Sequence, residues 1–205
     1  MTGGKHLDGF TDICRKLFID AGLPEAHIYW QTRKELPGYF RAEKNWDLIV
    51  VADGSLLAVI EFKAQVGPSF GNNFNNRTEE ALGNATDLWA AYREGAFKPS
   101  LRPWLGYVFI LEDCQGSATP VKVKEPHYSV FPEFREASYA KRYEIMLTKL
   151  LRERLYDGTC LILTSQKEGR KGGFHCPSEE LNFQSFAAGL SSHAGAFAKR
   201  LSPDR

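Results

Sequence analysis

The sequence predicts an α/β fold, a mixed β-sheet flanked by helices, and three observations carry that expectation. Apolar residues recur at helical spacing in four stretches. Four short runs rich in Val, Ile and Leu read as strands. The two kinds of segment alternate as helix, two or three strands, helix, strand, helix, strand, helix. A chain of 205 residues buries enough surface to fold alone, and one domain spanning 1–205 is expected.

The first helix runs from Leu7 through Phe10, Ile13, Cys14, Leu17 and Phe18, and Gly22 and Pro24 stop it. Residues 27–32 (HIYWQT) read as a short strand, Pro37-Gly38 as a turn, and RAEKN (41–45) as a charged approach to the next strand. Then come WDLIVV (46–51) and LLAVIEFKA (56–64), joined by Ala52-Asp53-Gly54-Ser55. Asp-Gly is a strong hairpin signal, so these are two antiparallel neighbours. The segment GPSFGNNFNNR (67–77) reads as a loop. Asn76 with Glu79 resembles a capping pair, opening a helix along Ala81, Ala85, Leu88, Trp89 and Tyr92 that Gly95 ends. LGYVFIL (105–111) is a strand, Tyr139, Tyr143, Met146, Leu147, Leu150 and Leu151 mark a long helix, and TCLILTS (159–165) is another strand. After the basic loop KEGRKGG (167–173), Phe183, Phe186, Ala187 and Leu190 mark a closing helix.

Hydrophobic residues make up 43% and charged ones 25%, the balance of an ordinary globular protein. No apolar run approaches the roughly 18 residues of a membrane span, and MTGGKHLDGF lacks a signal-peptide core, so a cytoplasmic protein is expected. Cys14, Cys114, Cys160 and Cys176 are scattered, which predicts buried free thiols. His175-Cys176 has no second pair at ligand spacing, which argues against zinc. A net charge of +1 does not mark a nucleic-acid binder, yet an acidic metal site offsetting basic phosphate contacts gives the same total. There is no Walker loop and no G-x-S-x-G elbow.

The chemistry concentrates in the hairpin. Glu61 and Lys63 are two apart and share a strand face. An isolated E-x-K is most often a solvated face. Here both LIVV and LLAVI lack polar alternation, so their strands are expected to be buried on two sides, where charged groups need a reason. The hairpin brings Asp47 back toward Glu61. Two carboxylates suit Mg²⁺, leaving room for waters and a phosphate oxygen, while an adjacent lysine can hold the attacking water or offset charge on the phosphorus oxygens. Register is critical. A strict two-residue Asp53-Gly54 turn would set Asp47 opposite Ile60, on the wrong face, so the triad requires a three-residue loop, Asp53-Gly54-Ser55, or a bulge.

Asp47, thirteen residues, then Glu61-Phe62-Lys63 resembles the PD-(D/E)xK nucleases, with Trp46 at the proline position. The surrounding text, LPGYFRAEKNWDLIVV, IEFKAQVGPSFGNNFNNRTEEALGNATDLWAAYREG and GYVFILEDC, resembles the XhoI family of type II restriction endonucleases over nearly the whole chain. The resemblance implies a restriction-endonuclease-like fold and Mg²⁺-dependent cleavage of double-stranded DNA at CTCGAG. A methyltransferase would protect the host without forming a stable complex. Family members usually carry an additional N-terminal helical segment. Carried over by position, Asp47 and Glu61 would be the metal-binding acids and Lys63 the catalytic lysine, with Glu35, Glu43 or Glu79 as a further acid. A palindromic site further predicts a homodimer.

For DNA binding, Asn72, Asn73, Asn75, Asn76 and Arg77 are candidate base readers, because asparagine pairs bidentately with adenine and arginine with guanine. Equally, the asparagines suit a turn-rich connection, with Asn76 mainly a helix cap. Lys167, Arg170 and Lys171 are candidate phosphate contacts, although a basic surface loop is more often only solvated. Other readings of the same triad are a repair or junction-resolving nuclease and a DNA-binding module that no longer cuts.

Overall fold

The computed structural model describes residues 8–201. Its main sheet runs in the order β1 (Ile28–Tyr29), β4 (Leu48–Ala52), β5 (Ser55–Gln65), β6 (Trp104–Glu112) and β7 (Gly158–Thr164), while β2 (Glu35–Pro37) and β3 (Glu43–Asn45) form a separate hairpin. The first two pairings are antiparallel and the last two parallel, so the expected mixed sheet is present. Helices α2 (Phe70–Arg93) and α4 (Tyr139–Arg152) cover one face, and α1 (Asp8–Asp20) and α6 (Phe183–Leu201) cover the other. Two one-turn helices, α3 (Gln115–Ala118) and α5 (Gln166–Gly169), complete the chain.

Because β5 and β6 are buried on both faces, their residues divide between two cores. Val59, Leu105, Tyr107 and Phe109 pack toward α2 and α4, and Ala58, Ile60, Val108 and Ile110 toward α1 and α6. The first helix ends as its sequence requires. Gly22 adopts φ 97°, the Gly22 N–H donates to the Ile19 carbonyl at 2.9 Å, and the Leu23 N–H donates to the Phe18 carbonyl at 3.1 Å, with Phe18 and Leu23 both buried. Leu7, the expected start of this helix, lies outside the described residues.

The β4–β5 connection corrects one expectation and meets its alternative. The loop is not three residues long: Ala52 pairs with Ser55 across Asp53 (φ 49°) and Gly54 (φ 74°), a two-residue turn with both positions left-handed. Register is restored by a bulge. Val51 pairs with Leu56 but Val50 pairs with Ala58, so Leu57 is the extra residue, and Leu57 and Ala58 both enter the α1/α6 core. Beyond the bulge Leu48 pairs with Ile60, which sets Asp47 across from Glu61.

The helix expected from Asn76 begins at Phe70, with Ser69 in the N-cap position, so 70–77 is helix rather than loop and Asn76 is not a cap. Asparagine-rich sequence is a poor helix former. Tertiary packing overrides it: Phe70 stacks on Tyr139 (5.9 Å between centroids) and Phe74 meets Tyr143 edge-on (5.1 Å), two i,i+4 pairs joining α2 to α4. All four cysteines are free, but only Cys14 and Cys160 are buried. The half-buried Cys176 hydrogen-bonds with Cys160. That contact lowers the Cys176 pKa to about 6 and, with burial, pushes Cys160 up.

The β2–β3 hairpin is anchored by Asp87 of α2, which is buried. One carboxylate oxygen accepts from the Tyr39 and Phe40 N–H groups (2.8 and 2.7 Å), the other from Arg41 Nε (2.8 Å), and Asn84 Oδ1 accepts from the same guanidinium (3.2 Å). Gly38 permits this approach, since a Cβ there would lie 2.5 Å from the Asp87 carboxylate. Burial acts to raise the Asp87 pKa, but the N–H groups of Phe40 and Tyr39 together with Arg41 outweigh it and hold the carboxyl below its ordinary value. Asp87→Asn should therefore cost about 1–3 kcal/mol in urea unfolding at neutral pH. A lowered folded pKa confers stability that is complete above the ordinary aspartate value, near 3.9, and is lost as pH falls through the folded value. The gap between wild type and variant should thus close below about pH 4. A gap that persists unchanged into acid would refute this anchoring role.

Candidate active site

Glu61 lies in the middle of β5, next to Tyr107 in the β5–β6 register, with only 3% of its side chain exposed. A carboxylate so buried needs partners, and it has two. Lys63, one strand repeat further on, hydrogen-bonds Oε1. Lys44 of β3 places Nζ 3.0 Å from Oε2 and 3.2 Å from Oε1. The Lys44 ammonium also donates to the Asn45 carbonyl at 3.2 Å and sits 4.2 Å from the centre of the Trp46 ring.

Asp47, half-buried, completes the group from the outer end of β4. Its Oδ2 accepts the Phe62 N–H at 2.7 Å, which ties it to the strand carrying Glu61 and Lys63. Oδ1 accepts no hydrogen bond from the described residues. Two carboxylates and two ammoniums thus converge at the α2/α4 face of the sheet, with no net charge. Behind them the Tyr143 hydroxyl donates to Gln65 Oε1, and burial pushes the Tyr143 pKa up.

Among the described residues no three His, Cys, Asp or Glu side chains are grouped to hold a metal ion. The third acids considered from the sequence do not supply one. Glu35 and Glu43 point out to solvent while their neighbours Leu36 and Lys44 point in, and Glu79 is exposed on α2. The Asp47 and Glu61 pair fits a small hard cation that keeps most of its waters, since such ions are commonly held by one or two carboxylates. Lys44 was missed in the sequence. EKN reads there as a charged approach, and only the Leu36–Lys44 pairing of a hairpin folded against the sheet turns this lysine inward.

Of the candidate DNA contacts, Asn72, Asn75 and Asn76 are exposed at i, i+3 and i+4 on the first turns of α2, so they form one stripe on a helix rather than a loop. Asn73 is half-buried, as is Arg77, whose guanidinium is paired with Glu80 at 2.5 Å. Lys167, Arg170 and Lys171 are exposed around α5 and form no ion pair among the described residues. They are remote in sequence from the carboxylate pair and make no contact with it.

A mixed sheet flanked by helices, with acids and a lysine on its antiparallel hairpin, defines a protein of the restriction-endonuclease-like class. The model of the restriction endonuclease XhoI family matches residues 1–176. The type II restriction enzyme BstVI of Geobacillus stearothermophilus is 47% identical over 207 residues, 98% of this chain and 92% of that enzyme. XhoI of Xanthomonas vasicola is 45% identical over 151 residues, 73% of this chain and 61% of that enzyme, and AbrI of Azospirillum brasilense is 50% identical over 125 residues, 60% and 56% respectively. No solved structure matches the chain significantly. The chain belongs to the XhoI restriction endonuclease family and is a type II restriction endonuclease, an enzyme that hydrolyses DNA phosphodiester bonds. No helix among the described residues is long and apolar enough to cross a membrane.

Proposed function

We propose that this single-domain enzyme cuts double-stranded DNA at the palindrome CTCGAG in a Mg²⁺-dependent reaction, with Asp47, Glu61 and Lys63 as its catalytic cluster. The observation that carries the cluster is the bulge at Leu57, which brings Asp47 across from Glu61 on the face that Lys63 shares. The recognition sequence rests on the family. Palindromic cleavage of both strands is met most simply by a homodimer, each protomer cutting one strand. A methyltransferase acts in the same cytoplasm without binding this chain stably.

Asp47 and Glu61 would hold Mg²⁺, which would supply Lewis acidity and lower the pKa of a bound water. Asp47 is already oriented for this role, with one oxygen fixed by the Phe62 N–H and the other accepting no hydrogen bond among the described residues. Lys63 is 20% exposed at its side chain and so reaches both Glu61 and an incoming phosphate. Its ammonium orients the attacking water or offsets charge that grows on the phosphorus oxygens. The exposed stripe Asn72, Asn75 and Asn76 reads base edges as one face of a helix, with Asn73 at its margin. Arg77, neutralised by Glu80, supports the helix rather than the base contacts. Lys167, Arg170 and Lys171, which form no ion pair among the described residues, contact phosphates.

Lys63→Ala should bind the cognate duplex nearly as the wild type does in Ca²⁺, because its contribution grows in the transition state. Its single-turnover cleavage in Mg²⁺ should fall about 10²- to 10³-fold. Cleavage at the wild-type rate would remove the cluster from the mechanism. Asn75→Ala or Asn76→Ala should cost about 1–3 kcal/mol of discrimination at one base position. Lys171→Ala should weaken all sequences alike and flatten the salt dependence by about one unit of slope. If the asparagine variants lose affinity for specific and random DNA equally, the stripe does not read sequence.

A further inference from the structure

Glu61 is held by two ammoniums, and the E-x-K pattern supplies only one of them. The second comes from a different piece of structure, the β2–β3 hairpin that Asp87 fastens to α2. Lys44 is the more deeply set of the two, with 12% of its side chain exposed against 20% for Lys63, and it spans both carboxylate oxygens where Lys63 takes Oε1 alone. A carboxylate offers about four lone-pair positions, so most of those on Glu61 are occupied.

Lys44 does not depend on Glu61 for its place. The Asn45 carbonyl at 3.2 Å and the buried Trp46 ring at 4.2 Å would both hold the ammonium if the carboxylate were taken away. A divalent cation on Glu61 would sit about 2.0–2.6 Å from an oxygen, and an ammonium on the same oxygens would then lie close enough to repel it strongly. Lacking a cation, Glu61 has the opposite need: Lys63 alone would leave the two carboxylates of Glu61 and Asp47 under-neutralised and most lone pairs of the buried Glu61 unsatisfied.

We propose that Lys44 is a displaceable counter-ion: it positions Glu61 while no divalent cation is bound, and withdraws onto Trp46 and the Asn45 carbonyl when a cation takes its place on the carboxylate. This inference rests on the assignment of Asp47 and Glu61 as the cation site. It makes the cation-loaded cluster, with two carboxylates and two ammoniums, doubly positive. Loading is therefore disfavoured in the free enzyme and favoured once a DNA phosphate arrives. Lys44 is in this sense a positioning residue that couples cation binding to DNA.

The test is calorimetric titration of Ca²⁺ into the full chain without DNA, comparing wild type with Lys44→Met, Asp47→Asn and the double variant. Lys44→Met removes the charge and keeps the stem over Trp46, and should bind Ca²⁺ about tenfold more tightly than wild type or better. Asp47→Asn should abolish binding in either background. Lys44→Gln gives the same comparison if the methionine variant does not fold. Equal or weaker Ca²⁺ binding by the folded Lys44 variants, with binding still dependent on Asp47, overturns the counter-ion role and leaves the cation site standing. Binding that ignores Asp47, or none in wild type and Lys44→Met alike, overturns both.

Discussion

A single extra residue in one hairpin decides whether Asp47 and Glu61 meet on one side of the sheet. The Asp53-Gly54 turn, with its two left-handed residues, pairs Ala52 with Ser55, and continued unbroken that register would send Asp47 and Glu61 to opposite faces. Asp47 would then lie across from Ile60, whose side chain packs in the apolar core beneath α1 and α6, where an ionised carboxylate has no partner. The bulge at Leu57 moves the pairing by one residue. It also sends both Leu57 and Ala58 into that core, so the ladder bond lost at the bulge is offset by apolar burial. Core packing and placement of the acids are two consequences of the same backbone irregularity.

Once the acids share a face, electrostatics fixes the rest of the site. Glu61 is buried too deeply to stand alone, and each of its neighbours brings a cation from a different source: Lys63 from its own strand, Lys44 from a hairpin that lies outside the main sheet. That hairpin keeps its position because Asp87 and Asn84, both buried on α2, satisfy the Tyr39 and Phe40 N–H groups and the Arg41 guanidinium. Helix α2 therefore bears on the site twice, holding Lys44 through its C-terminal half and presenting the exposed asparagine stripe from its N-terminal half.

Much of this was legible in the sequence, and the parts that were not have physical reasons. Long apolar runs announced β5, β6 and β7, and helical periodicity announced α1 and α4, because in each the signal is local. The Asp47, Glu61 and Lys63 grouping was legible from spacing and from the oddity of charge in doubly buried strands. Leu57-Ala58 hides the bulge, since adjacent apolar residues look alike in a strand buried on both faces, and only the core that both enter shows that alternation breaks there. The start of α2 is not legible because 70–77 carries almost no apolar stripe beyond Phe70 and Phe74. Its helix is imposed by Phe70 and Phe74 meeting Tyr139 and Tyr143, which lie far along the chain. Lys44 was invisible for the same reason, as nothing near it in sequence tells which way a three-residue strand faces.

The most direct examination of the bulge-aligned site is an anomalous-difference map from a crystal of the enzyme with its cognate duplex and Mn²⁺ in place of Mg²⁺. Asp47 and Glu61 should flank the strongest peak, at oxygen distances of about 2.0–2.4 Å, with the scissile phosphate on its open side. A peak elsewhere in the complex, with the two carboxylates still held by the Phe62 N–H and the two lysines, would contradict the assignment of this cluster as the centre of cleavage.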